Sequence, residues 1–444
     1  MTHPLSVSAL FILFVILLFS IAAGMVIILW CFTMSSTWQS NFRIPKWMLH
    51  IPDENLTDVP KTLVQLDKPI YYPIRLFMQT MFSSQRQLDK YRMLQKTQRR
   101  VLKSTEFFCD TNGMRSPTRP TSAHKVRPGD VDIVGSIGDS LMAGTGSLSN
   151  ILPQLAVDHR GLSWTSGGQG TWKEFLTIPN ILKVFNPKLV GYSYGDSLAV
   201  QSFSQFNVAE PGAMSRDLPF MTKELVKRIK ADKRVNLNED WKLISIMMGS
   251  NTFCLELCYE DYTTYAEKHR QELLKALLYI KENLPRTIVN LVLSPNLEII
   301  VNFTNLPPIC ILINIMECPC LFATQYKHRL SDYIDVMNKF QDVEKEIVEH
   351  EELKNKDDFT VVLQTFTERL IFPKNRQNTT DVSYLSTDCF HFSQKGYARA
   401  ANALWNNMME PVGNKSTNWS KEFDRFVCPT DESPYIRTWK NSIL

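Results

Sequence analysis

The 444-residue sequence has no internal repeat, no low-complexity tract and no strong excess of either charge. The missing repeat argues against solenoids and propellers. The missing low-complexity tract, with 44% apolar and 21% charged residues, argues against long disorder and for an ordinary globular composition. A formal net charge of +4, dispersed along the chain, leaves no footprint for a nucleic acid. The length accommodates one large or two medium domains with filled cores. Paired Cys-x2-Cys or Cys/His spacing is also missing, which counts against a zinc site and leaves metal ligands unexpected.

One absence is local. No charged residue occurs from position 8 to position 32, and 10–18 with 25–30 are almost wholly apolar. At about 1.5 Å per residue this run crosses a hydrocarbon core of about 30 Å. Ala22-Ala23-Gly24 offers a rival reading as a cleavage site. The apolar part of a cleaved signal covers about 7–15 residues, however, and here it continues to Trp30-Cys31-Phe32. An uncleaved signal anchor, a transmembrane helix within 1–33, is therefore expected.

Orientation is contested within the sequence. No Lys or Arg precedes the run while Arg43 and Lys46 follow it, which favours a cytosolic C-terminal side. Five sequons oppose this, at Asn55, Asn302, Asn378, Asn414 and Asn418, because such acceptors are glycosylated only in a secretory lumen. Eight cysteines outside the run, Cys109, Cys254, Cys258, Cys310, Cys318, Cys320, Cys389 and Cys428, suit disulfides in an oxidising compartment. Cys318-Pro-Cys320 and Cys254-x3-Cys258 leave zinc as the alternative. The expectation is a single-pass membrane protein of the secretory pathway or cell surface, its bulk lumenal or extracellular.

Residues 34–107 read as a connecting region. Pro45, Pro52, Pro60, Pro69 and Pro73 forbid long helices in its first part. Positions 78–104 lack Pro and Gly and carry Arg86, Lys90, Arg92, Lys96, Arg99, Arg100 and Lys103. This predicts a basic helix, either lying on anionic lipid or, as preferred, solvated and packed on the main domain.

From Val131 onward short β-rich runs alternate with helical patterns. Strands are predicted at 131–137, 189–194, 242–248, 287–293 and 359–363, with helices at 217–231, 262–283 and 328–350. The alternation predicts a three-layer α/β/α sandwich around a mostly parallel five-stranded sheet. Functional groups in such sheets gather beyond the carboxyl ends of the strands.

Ser140, in Gly138-Asp-Ser140, follows the first predicted strand. Alone it is a turn serine. Of eight histidines, His391 is the one with an acid three residues before it, Asp388. Ser393 reads as an N-cap, and Tyr397, Ala400, Ala401, Leu404 and Met408 as the buried face of the helix that follows. That context puts Asp388 and His391 on a loop, where a carboxylate can orient an imidazole toward a serine. Ser140 N–H, Gly212 N–H and the Asn251 amide, each after a predicted strand, are candidate donors to an oxyanion.

The ordered set Gly138-Asp-Ser-Leu141, Asn207 with Gly212, Gly249-x-Asn251 and Asp388-x-x-His391 resembles the GDSL or SGNH hydrolases. Longer strings resemble the membrane-associated phospholipase B group among them: Arg115-Ser-Pro-Thr118, Arg127-Pro-Gly-Asp130, Arg160-Gly-Leu-Ser-Trp164, Phe185-Asn-Pro187 and Ala403-Leu-Trp-Asn-Asn407. The resemblance runs from about Phe108 to the C-terminus and makes 108–444 the hydrolase domain, of flavodoxin-like architecture. It implies Ser140 as nucleophile, His391 as general base and acid, Asp388 as its orienting acid, and Ser140, Gly212 and Asn251 as the oxyanion hole. It implies no metal and no organic cofactor, and fatty-acyl esters of phospholipids and lysophospholipids as substrates at a membrane. Two departures bear on rate and substrate fit: Thr252 where the family commonly has Asp, and Gln169 where it commonly has Asp. An esterase of the same fold for another ester, and a non-catalytic surface protein, stand as the alternatives.

Overall fold

A computed structural model of the chain describes residues 71–82, 88–259 and 261–442. The apolar run at 8–32 and the sequon at Asn55 lie outside the described residues. Among those described, no helix is long and apolar enough to cross a membrane.

Four parallel strands form the sheet in the order β1 (Val131–Gly138), β2 (Trp241–Met247), β3 (Thr287–Val292) and β4 (Phe359–Gln364). Their side chains alternate between two cores, as the period of a strand requires. On β3, Ile288 and Val292 join one cluster and Val289 and Leu291 the other. Each such apolar side chain, fully buried, stabilises the fold by about 1.5–3 kcal/mol. The crossover helices Leu218–Ala231, Tyr265–Asn283 and Leu330–Ile347 supply the second cluster. Ile178–Phe185 and Gln394–Met409 supply the first, where Phe185 stacks on Trp405 at 5.6 Å.

The fifth strand expected at 189–194 does not form. Val190 bridges Ile133 and Ser193 bridges Gly167, but the stretch does not run on as a ladder. Gly191 adopts a φ of +94°, and a Cβ there would lie 2.4 Å from Val134 O and 2.3 Å from the Phe206 ring. The chain therefore turns away, and Asn207 completes the edge of β1 by bridging Ser136. A left-handed glycine inside a short apolar run is invisible to periodicity.

The helix expected across 78–104 is also broken. Helix is found at Tyr71–Met81 and again at Leu88–Met93, after which Gln95 takes a positive φ and the chain runs extended. Long-range partners explain the break: Gln98 N–H donates to Gln394 Oε1 at 2.8 Å, and its side chain donates to Trp172 O and accepts from Leu176 N–H.

All eight cysteines outside the apolar run are paired, Cys109–Cys428, Cys254–Cys318, Cys258–Cys320 and Cys310–Cys389. This uses up the thiols that the zinc alternative required. Asn302, Asn378 and Asn414 are exposed, whereas Asn418 is half-buried and accepts from Ile371 N–H at 2.9 Å.

Candidate functional site

Ser140 opens the short helix Ser140–Ala143 directly beyond β1. Gly138 permits this: a Cβ there would fall 2.4 Å from Met142 Cγ and 2.6 Å from Met247 O on the neighbouring strand. Asp139 caps the helix, its Oδ1 accepting from Leu141 N–H at 3.0 Å. Burial raises Asp139 to about 6, against the pull of that bond and of His391. The turn is gripped from below. Trp164 Nε1–H donates to Leu141 O at 3.1 Å, and Ser163 Oγ and Asn207 Nδ2 both donate to Met142 O.

Asp388 and His391 sit on the loop before the helix Gln394–Met409, whose N-terminus is capped by Ser393 Oγ accepting from Gly396 N–H. Fully buried Asp388 accepts at Oδ1 from Phe390 N–H (2.9 Å) and His391 N–H (3.0 Å). Its Oδ2 lies 2.6 Å from His391 Nδ1, and His391 Nε2 lies 2.7 Å from Ser140 Oγ. Asp388 can accept but not donate when ionised, so Nδ1 carries the proton and Nε2 is left to accept from the serine hydroxyl. Burial disfavours the imidazolium, but Asp388, through charge and hydrogen bond, with Glu317 and Asp139 behind it, raises His391 to about 9. Burial likewise opposes ionisation of Asp388, yet His391 and the two backbone donors hold it below the usual carboxylate range. A hydroxyl, an imidazole and a carboxylate in this order can take a proton from an oxygen nucleophile.

The three candidate oxyanion donors lie at the carboxyl end of the sheet. Ser140 leaves β1 and Asn251 leaves β2 beyond the register pair Gly138–Met247. Glu210 N–H donates to Gly138 O at 3.0 Å, which brings the segment carrying Gly212 to the same end. Asn251 Nδ2 donates to Ala213 O at 2.9 Å, leaving the second proton of its amide. That segment rests on fully buried Arg160, which donates to Asn207 Oδ1, Ala209 O and Asp158 Oδ2. Thr252 is buried, and neither its hydroxyl nor Gln169 Oε1 has a hydrogen-bond partner among the described residues.

An apolar cleft, partly open to solvent, is lined by Leu141 together with Ile299, Ile300, Phe303, Phe372, Phe390 and Phe392. A second hollow shares Leu141, Pro295, Leu370 and Phe392 with it and continues toward Trp164 and Trp419.

Several contributors were not visible in the sequence. Tyr91 Oη donates to Ser149 O at 2.9 Å, Lys96 Nζ to Ser386 O at 3.3 Å, and Lys395 N–H to Lys96 O at 3.0 Å. The region before the main domain thus braces the loops on which Ser140 and His391 stand. No local motif signals these contacts, because their partners lie tens to hundreds of residues away.

A second hydroxyl–imidazole–carboxylate series lies elsewhere, with a glutamate as its acid. Ser215 Oγ is 2.8 Å from His269 Nδ1, and His269 Nε2 is 3.2 Å from Glu344 Oε1. Here the ring is reversed and stacked on Phe340 at 4.5 Å, and Glu344 is also held by Ser294 N–H and Oγ. It joins the two crossover helices Tyr265–Asn283 and Leu330–Ile347 to the end of β3.

The family model described as GDSL-like Lipase/Acylhydrolase matches residues 134–404. Membrane-associated phospholipase B1 of Mus musculus is 36% identical over 356 residues, covering 78% of this chain and 24% of that protein. The Homo sapiens protein of the same name is 36% identical over 343 residues, covering 77% and 23%. The chain thus spans about a quarter of the length of the curated relatives it matches. A solved phospholipase A1 from Streptomyces albidoflavus NA297 aligns over 60% of this chain and 95% of its own at 12% identity, with a TM-score of 0.29.

Proposed function

The chain belongs to the GDSL-like lipase/acylhydrolase family, and from that premise we propose that it is a serine esterase cleaving fatty-acyl esters of phospholipids and lysophospholipids at a membrane. Ser140 Oγ attacks the ester carbonyl while its proton passes to His391 Nε2. Asp388 keeps the ring oriented and stabilises the imidazolium. The tetrahedral oxyanion is received by Ser140 N–H, Gly212 N–H and the Asn251 amide. His391 then returns the proton to the departing alkoxide, leaving an acyl-enzyme on Ser140 that water hydrolyses by the same relay.

The observation that carries the substrate class is the apolar cleft adjoining Leu141, next in the chain to Ser140. A cleft lined by aliphatic and aromatic side chains suits a long acyl chain better than a sugar or a peptide. The helix Pro308–Glu317 beside the His391 loop leaves Ile309, Ile311, Leu312 and Met316 exposed, apolar surface suited to a substrate presented in an aggregate. In this reading the run at 8–32 anchors the domain on the lumenal or extracellular side, with glycans on the exposed sequons.

The test is release of free fatty acid from phosphatidylcholine and lysophosphatidylcholine in mixed micelles with a chelator present. Release without calcium is expected, because the oxyanion donors come from the chain itself. Turnover confined to short-chain or acetylated sugar esters would overturn the substrate assignment.

A further inference from the structure

Glu317 ends the helix Pro308–Glu317. One of its carboxylate oxygens, one of Asp388 and a ring nitrogen of His391 all lie within 4.8 Å of one another. The helix is held there covalently. Cys310 is bonded to Cys389, inside the Asp388–His391 turn, and Cys318, next to Glu317, is bonded to Cys254.

Nothing structural accounts for an acid at this position. A carboxylate at the C-terminal end of a helix opposes the helix dipole rather than complementing it. Oε2 of Glu317 is buried and makes no hydrogen bond among the described residues, an arrangement that costs stability unless the charge has a use. The groups around the pair are few and can be named. Asp139 faces His391 from the Ser140 turn, while Lys96, Tyr91 and Tyr397 face Asp388.

We propose that Glu317 is a positioning residue that acts through His391, a second carboxylate stabilising the imidazolium formed when Ser140 gives up its proton. The inference rests on the serine-esterase reading above. Glu317 neither gives nor takes a proton in the reaction: the proton moves from Ser140 Oγ to His391 Nε2 and on to the leaving oxygen. Its contribution is charge at a fixed distance, in a site where little water screens it. Burial holds Glu317 up to about 7, against the pull of His391 and with the push of Asp388. Its charge therefore builds up through neutral pH and is complete by about pH 9, where His391 loses its proton and becomes available as a base.

The experiment compares the full chain with its Glu317→Gln and Glu317→Asp variants, reading the rate of Ser140 labelling by a fluorophosphonate and kcat/KM on a soluble short-chain ester from pH 5 to pH 10. Gln removes the charge and keeps the shape, so the thermal midpoint should hold or rise. The acidic limb of both profiles should move down by about one pH unit, with the alkaline plateau lowered about three- to tenfold. Glu317→Asp should restore part of both. Unchanged limb and plateau in Glu317→Gln would overturn the proposal, as would a falling thermal midpoint with no shift of the limb in either variant, which marks a structural role. If wild-type Ser140 is not labelled at all, the nucleophile assignment itself fails, a result separable from failure of the Glu317 inference.

Discussion

Cys310 is bonded to Cys389, one residue after Asp388 and two before His391. The bond closes a separation of 79 residues and fastens an exposed apolar helix to the turn that carries acid and base. Replacing both cysteines by serine should lower stability by about 2–4 kcal/mol, the usual range for a bridge closing a long loop. Chemical unfolding of the oxidised proteins reads this directly. A loss below about 0.5 kcal/mol would mean that the bridge does not constrain the chain.

Ser140→Ala, His391→Ala and Asp388→Ala should each reduce ester turnover by several orders of magnitude, and the triple variant should be little worse than the worst single one, because the relay acts as a unit. Asn251→Ala should lower kcat about 10²–10³-fold with a smaller effect on KM, as expected for one oxyanion donor. Steady-state kinetics on a soluble ester distinguishes these. An Asn251→Ala enzyme within twofold of wild type would remove Asn251 from the hole.

The pH profile has a definite sign. His391 must be neutral at Nε2 to accept the serine proton. Burial disfavours its charge but Asp388 prevails and holds it up near 9. Activity of the free enzyme should therefore be low at acidic pH, climb through neutrality and level off above about 9. An acidic limb centred near the ordinary histidine value of about 6.5 would show that Asp388 does not control the ring.

The reversed chain Ser215–His269–Glu344 serves as an internal control. His269→Ala should destabilise the fold by about 2–4 kcal/mol, since it opens a cavity beside Phe340 and leaves buried polar groups without a partner. Per folded molecule, Ser140 labelling should be unchanged. A specific loss of labelling without loss of stability would implicate this second relay in the chemistry.

Much of this arrangement is legible in the residues, and the exceptions have physical causes. β1 to β4 are readable because each is a short run rich in β-branched and other apolar residues, buried on both faces of the sheet. The helix Gln394–Met409 is readable because Ser393 caps it and its apolar positions recur at helical spacing. Leu189–Tyr194 misleads because Gly191 bends a run whose composition is that of a strand. The break after Met93 misleads because Gln98 satisfies its hydrogen bonds with Trp172, Leu176 and Gln394, far along the chain. Glu317 carries no local signal at all. A glutamate at the end of an apolar helix looks like a solvated terminus until Cys310–Cys389 and Cys254–Cys318 are seen to carry it to His391.

The central claim is that Ser140 is a nucleophile activated by His391, and the most direct measurement is mass-spectrometric mapping of a fluorophosphonate adduct on the intact protein. The expected result is one adduct, on the peptide containing Ser140, absent in Ser140→Ala and slowed by orders of magnitude in His391→Ala. An adduct on another residue that persists in Ser140→Ala, or none under conditions where the protein hydrolyses esters, would contradict it.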